Sequence, residues 1–143
     1  KPMQAETIVK KLMYDNDAFS QWLGIAFIDV KDGYCKIKMT IRSEMLNGFK
    51  ICHGGVTFAF ADSSFAFASN TFNKMAVSIE TSISHIKPVF ENDVIIAEAI
   101  LKAQTNKTAI YEVNIINQNE ETVALFKGTV FIKDKKWIEE NNG

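Results

Sequence analysis

Asn47-Gly48-Phe49-Lys50-Ile51-Cys52-His53-Gly54-Gly55 runs directly into Val56-Thr57-Phe58-Ala59-Phe60-Ala61-Asp62-Ser63-Ser64-Phe65-Ala66-Phe67-Ala68-Ser69-Asn70. Ala and Phe fall on every side of the second segment, so it lacks the polar face of a surface helix. A helix that is apolar all round is normally buried. Asp62 is its only ionisable side chain, near the middle, where an unpaired charge is costly. A glycine pair opens this helix and a carboxylate interrupts it, and the fold and the chemistry must both account for that.

Upstream, Ala5, Ile8, Val9, Leu12 and Met13 recur at helical spacing and predict a short amphipathic helix over residues 5–14. Asp15-Asn16-Asp17 breaks it, and Ala18 to Leu23 reads as a further helical turn with Gly24 as its C-cap. Ile25 to Val30 predicts a strand, Asp32-Gly33 a hairpin turn, and Tyr34 to Ile41 the return strand. Cys35, Ile37, Met39 and Ile41 there alternate with Lys36, Lys38 and Thr40, which buries one face and wets the other. Ser43 to Cys52 is a loop that delivers the chain to the buried helix.

Downstream, Met75 to Ile86 alternates Val77, Ile79, Thr81 and Ile83 against Ser78, Glu80, Ser82 and Ser84, and Pro88 ends it. Strands over 94–103, 109–117 and 123–133 follow, and short connections favour antiparallel neighbours. The economical architecture is α+β: one antiparallel sheet wrapped around the lone long helix, with a helix at the N-terminus. Residues 137–143 read as a frayed tail or one packed on a neighbour.

No repeat, linker or low-complexity segment divides residues 1–143, so one domain is expected. Sixteen basic against seventeen acidic residues give a net charge of −1, which makes no electrostatic case for nucleic acid or anionic membrane. No apolar run has membrane-spanning length and the start shows no signal-peptide pattern. Two cysteines, Cys35 and Cys52, are too few for a disulfide framework, so a reducing cytoplasm is expected. His53 and His85 show no ligand spacing, and no metal or redox cofactor is expected.

Asn47-Gly48, His53-Gly54-Gly55 and Asp62, with Pro88-Val89-Phe90 and Val123 to Gly128 beyond, resemble the hot-dog-fold acyl-CoA thioesterases. The closest resemblance is to the phenylacetate-pathway (PaaI-type) branch. It implies that Asp62 is the catalytic carboxylate, as nucleophile or general base. The Gly54 amide then polarises the thioester carbonyl, and Asn47 and His53 line the pocket. Ser78 falls where some relatives carry a water-orienting residue. The resemblance further implies sheets paired side by side in a homodimer, and a homotetramer as a dimer of dimers.

The residues support part of this independently. A helix N-terminus offers free N–H groups and a positive dipole end, and glycine lets a ligand approach the backbone. The plainer reading of Gly54-Gly55 is a tight turn into the helix. For Asp62 it is a carboxylate satisfied by Ser63, Ser64 or Thr57; burial should raise its pKa, so base chemistry needs donors nearby, with Asn47 a candidate. Eight residues separate Gly54 from Asp62, about 12 Å along a helix, whereas catalytic groups converge within about 3.5 Å. If both act on one carbonyl, they come from different subunits.

His53 reads as a positioning residue, His85 as a structural or pocket-wall residue, and Cys52 as packing. Met45, Leu46 and Gly55 are further candidates for substrate contact. Lys50, Lys87, Lys107 and Lys127 are candidates for CoA phosphates, although a solvated face is the ordinary state of each. The expected function is hydrolysis of an acyl-CoA, of aryl-acetyl or hydroxyphenylacetyl type. The alternatives are a non-catalytic acyl-CoA sensor and a hot-dog hydratase or dehydratase.

Overall fold

Cys35, Ile37 and Met39 are all buried on one face of a strand, β2 (Tyr34–Thr40). The structure, a computed structural model, describes residues 2–139. β2 pairs antiparallel with β1 (Ala26–Lys31) through the Asp32-Gly33 turn, where Gly33 takes a φ of 70° that disfavours any side chain. The remaining elements are α1 (Pro2–Glu6), α2 (Ala18–Leu23), α3 (Gly54–Ser69), β3 (Ala76–His85), β4 (Val94–Gln104), β5 (Thr108–Ile116) and β6 (Thr122–Ile132). The strands form one antiparallel sheet in the order β1-β2-β4-β5-β6-β3. The sheet curls around α3, which is the expected α+β hot-dog arrangement.

Aromatic packing fixes the helix on the sheet. The Phe65 ring meets Tyr111 and Phe126 at centroid distances of 6.0 and 5.5 Å. It rests on Gly128 of β6, where an added Cβ would stand 2.6 Å from the ring. Phe67, on the other side of α3, meets Phe27 of β1 at 5.3 Å and Tyr14 at 6.4 Å. Phe60, Phe65 and Phe67 are fully buried, and each contributes about 1.5–3 kcal/mol by leaving water.

Several sequence expectations need correction. The predicted helix over 5–14 is α1 running into a π-helical stretch, Thr7–Met13, and a 3₁₀ turn, Tyr14–Asn16. Its apolar face still packs inward through Ala5, Ile8 and Val9. β3 and β4 are not neighbours despite their short connection: β3 lies at the far edge beside β6, and β4 pairs with β2. Residues 86–93 cross back under the N-terminal end of α3. They are pinned by Ile86 N–H to Val123 O (2.8 Å), Cys52 N–H to Val89 O (2.7 Å) and Ile41 N–H to Asp93 O (2.9 Å).

The simple alternation in β3 also fails. A bulge between Ser78 and Glu80 shifts the register, so Ser78, Thr81 and Ile83 oppose Val130, Gly128 and Phe126, while Val77 opposes Phe131. The extra residue puts Val77 on the other face from Thr81 and Ile83, and leaves Val77 and Ile79 exposed. Trp137 is not frayed: its Nε1 donates to Asn70 Oδ1 at 2.9 Å, and Ile138 pairs with Asn73. Residues 140–143 of the predicted tail lie outside the described residues.

Candidate active site

A cleft of about 360 Å³ opens at the N-terminal end of α3. The loop carrying Asn47, the head of the helix, the end of β3 and the crossing segment through Val89 form its walls. Asn47 shapes its own loop: its Oδ1 accepts from Phe49 N–H at 2.8 Å and Ile51 N–H at 3.4 Å. Lys50 completes that turn with a left-handed φ of 64°.

His53 is the N-cap of α3, and its Nδ1 accepts from Gly55 N–H at 2.8 Å. Its own N–H donates to Met45 O at 2.8 Å, which locks the entry to the helix. The Gly54 N–H has no acceptor among the described residues, and Gly54 lines the cleft. The helix therefore presents one unused donor, at its positive end, to an open space.

Asp62 lies elsewhere. It is half-buried and does not line the cleft. Phe58, one turn earlier on the same flank, packs on Phe126 of β6 at 5.7 Å, so Asp62 faces the β6–β3 side of the sheet. That flank, with Gly55, Ala59 and Ala66, is only partly covered, so the helix is not buried all round within one chain. Burial raises the pKa of the Asp62 carboxyl.

None of the neighbouring hydroxyls satisfies Asp62. Ser63 Oγ pairs with Ser20 Oγ of α2 at 2.9 Å, Ser64 Oγ donates to Ala61 O at 2.7 Å, and Thr57 Oγ1 sits 3.8 Å from Cys52 Sγ. Asn47 does not reach Asp62 either, and no donor or cation meets its carboxylate among the described residues. Its oxygens are not sealed from solvent, so the carboxylate stays open to water or to a group from outside the chain.

The structure thus brings Asn47 and Gly54 to one cleft, with His53 and Gly55 forming its helix cap. Within one chain it does not bring Asp62, Ser78, Met45 or Leu46 there. Ser78 is exposed on β3 opposite Val130, Met45 is buried in the core, and Leu46 is half-buried in a bridge with Cys52. Cys52 is buried and free, as a packing residue should be, although it also touches the cleft. Among the described residues no group of three or more His, Cys, Asp or Glu is placed to hold a metal, and no helix is long and apolar enough to cross a membrane.

His85 is a cleft residue that periodicity left ambiguous. Its Nε2 and Cε1 stand 3.2 and 3.3 Å from where a Cβ on Gly54 would be. Lys87 also lines the cleft, where Glu121 holds it at 2.6 Å, whereas Lys127 lies outside it and is held by Glu80 at 3.4 Å. Only strand order, which no local pattern encodes, carries the end of β3 to the head of α3.

Residues 49–124 match the model of the thioesterase superfamily. The Escherichia coli acyl-coenzyme A thioesterase PaaI is 40% identical over 116 residues, covering 81% of this chain and 83% of that protein. A relative from Archaeoglobus fulgidus is 40% identical over 131 residues, covering 92% of this chain and 85% of its own. The solved structure of the E. coli PaaI protein from the phenylacetic acid degradation operon superposes with a TM-score of 0.91 at 36% identity, over 94% of this chain and 97% of that one. The match spans the Gly54 helix head, Asp62 and the crossing segment, and the chain belongs to the thioesterase superfamily, a family of thioester hydrolases.

Proposed function

We propose that the protein hydrolyses an acyl-CoA thioester, of aryl-acetyl or hydroxyphenylacetyl type, to the free acid and CoA. The observation that carries this is the unused Gly54 N–H in the cleft, on the same helix as a half-buried carboxylate with no donor of its own. The thioester oxygen accepts from Gly54 N–H, and negative charge gathers there as the carbonyl carbon is attacked. Asp62 either removes the proton from an attacking water or attacks directly to give a mixed anhydride that water then opens. The C–S bond breaks, and CoA leaves as a thiolate that takes up a proton. No metal or redox cofactor enters these steps. Residues 1–143 act as one thioesterase domain in the cytoplasm.

Gly54 and Asp62 are too far apart on α3 to serve one carbonyl, so the reading requires a second copy. The β3 edge suits it: a ten-residue strand with Val77 and Ile79 exposed at 41% and 58%. Such an edge is a template for pairing. A twofold axis across it lays a second α3 antiparallel beside the first and directs Asp62 of the partner subunit towards Gly54. Two composite sites result, and two such dimers make a tetramer. Asn47 and His53 hold the cleft in shape, the buried Met45 supports them by accepting from His53 N–H, and Gly55, Leu46 and Ser78 border the acyl group or the water.

Free-thiol release from a panel of aryl-acetyl, hydroxyphenylacetyl, benzoyl and straight-chain CoA thioesters tests the proposal. Turnover that disappears in Asp62→Ala supports it. Tight binding without release would mean a sensor instead.

A further inference from the structure

We propose that the His85 imidazole is a second hydrogen-bond donor to the thioester oxygen held by Gly54; this rests on the hydrolytic reading above. The two residues are adjacent in the lining of one cleft, with the Nε2 edge of the ring 3.2 Å from the Cβ position of Gly54. An oxygen accepting from Gly54 N–H sits about 2.9 Å from the Gly54 nitrogen, and a ring already in contact with Gly54 needs only a small turn to reach it.

Neither ring nitrogen of His85 has a hydrogen-bond partner among the described residues, in contrast to His53, whose Nδ1 is occupied by Gly55. His85 opposes Ala124 on the helix-facing side of β3, and that small neighbour leaves the ring room to turn into the cleft. Much of the remaining wall is apolar, from Ile51, Pro88 and Val89, which strengthens any hydrogen bond made there. Nε2–H donates in the neutral tautomer that carries it and in the imidazolium alike. The thiolate leaving group needs no acid, since an ordinary thiol ionises near pH 8.5, so the proton of His85 serves better at the oxygen than at sulfur.

The test uses the full chain with His85→Phe, which keeps a flat ring and removes the donor, and His85→Gln, which keeps an N–H. His85→Phe is expected to lower kcat about 10–100-fold with KM changed less than about threefold, and His85→Gln to recover part of the loss. A ketone analogue of the acyl-CoA, with CH₂ replacing sulfur and ¹³C at the carbonyl, reports the bond without turnover. Its infrared carbonyl stretch should lie at higher frequency on His85→Phe than on the parent. An active parent whose His85→Phe variant matches it in kcat and in carbonyl stretch overturns this inference alone. A parent that neither binds the analogue nor cleaves any thioester overturns the hydrolytic reading, and this inference with it.

Discussion

The Gly55 N–H donates to His53 Nδ1 at 2.8 Å, and this bond decides which amide at the head of α3 remains for a ligand. With Gly55 occupied by the cap, Gly54 is left as the donor that opens on the cleft. The histidine therefore works by arranging backbone, and the chemistry asked of it is that of a cap.

Replacing His53 by Ala removes that cap. The variant should lose about 1 kcal/mol of stability, and His53→Asn, a good capping residue, should restore most of it. Urea midpoints of the three proteins check this. Equal midpoints for the parent and His53→Ala would show that the bond contributes nothing in solution.

Gly54→Ala places a methyl group 3.2 Å from His85 Nε2. The exposed ring can yield by a few tenths of an ångström, so little stability should be lost, yet the methyl narrows the cleft beside the donor. We expect kcat/KM to fall by at least about tenfold, in line with a disturbed oxyanion donor, while the melting temperature barely moves.

Asp62 carries a pH signature. Burial holds its carboxyl above the ordinary value of 3.8, so the native state binds that proton more tightly than the unfolded chain does. Its contribution to stability is full below about pH 3.8 and is lost as pH rises through the raised value. Asp62→Asn should consequently melt higher than the parent near pH 7, with the gain fading towards pH 4, while its hydrolysis is abolished. A melting difference that stays constant across this range would refute the assignment.

Subunit mixing tests the composite site. Asp62→Ala and Gly54→Ala, each crippled alone, should recover about one quarter of parental activity when refolded together in equal amounts. Half of the random dimers are then hybrids, and each hybrid holds one intact site. Mixtures no more active than the separate variants would place both groups in one chain.

Gly128→Ala addresses the core. Its methyl would stand 2.6–2.8 Å from the Phe65 ring, which is fully buried between α3 and the sheet. Overpacking of this kind costs about 1–3 kcal/mol, and Phe65→Leu in the same chain should return part of it. Thermal melts of the single and double variants decide the matter.

Local chemistry determined much of this protein directly from the sequence. The alternation of Cys35, Ile37 and Met39 placed β2, and Gly24 and Gly33 marked the left-handed cap and turn, with φ of 79° and 70°. The Gly-Gly entry to an apolar helix located the donor. These features depend on side-chain period and on backbone conformations available to single residues, which neighbours in sequence settle between them. The helix rise alone likewise parts Gly54 from Asp62.

Strand order, by contrast, is a choice among pairings of similar local quality, and only the packed structure made it. Placing β3 at the far edge sent residues 86–93 under the helix, set His85 against Gly54 and opened the Val77–Ile79 edge. The bulge after Ser78 overturned a clean alternation because one inserted residue reverses every side chain beyond it. Residues 47–62 specified a donor and a carboxylate. The tertiary structure showed the donor opening on a cleft and the carboxylate on a flank that its own chain covers only in part.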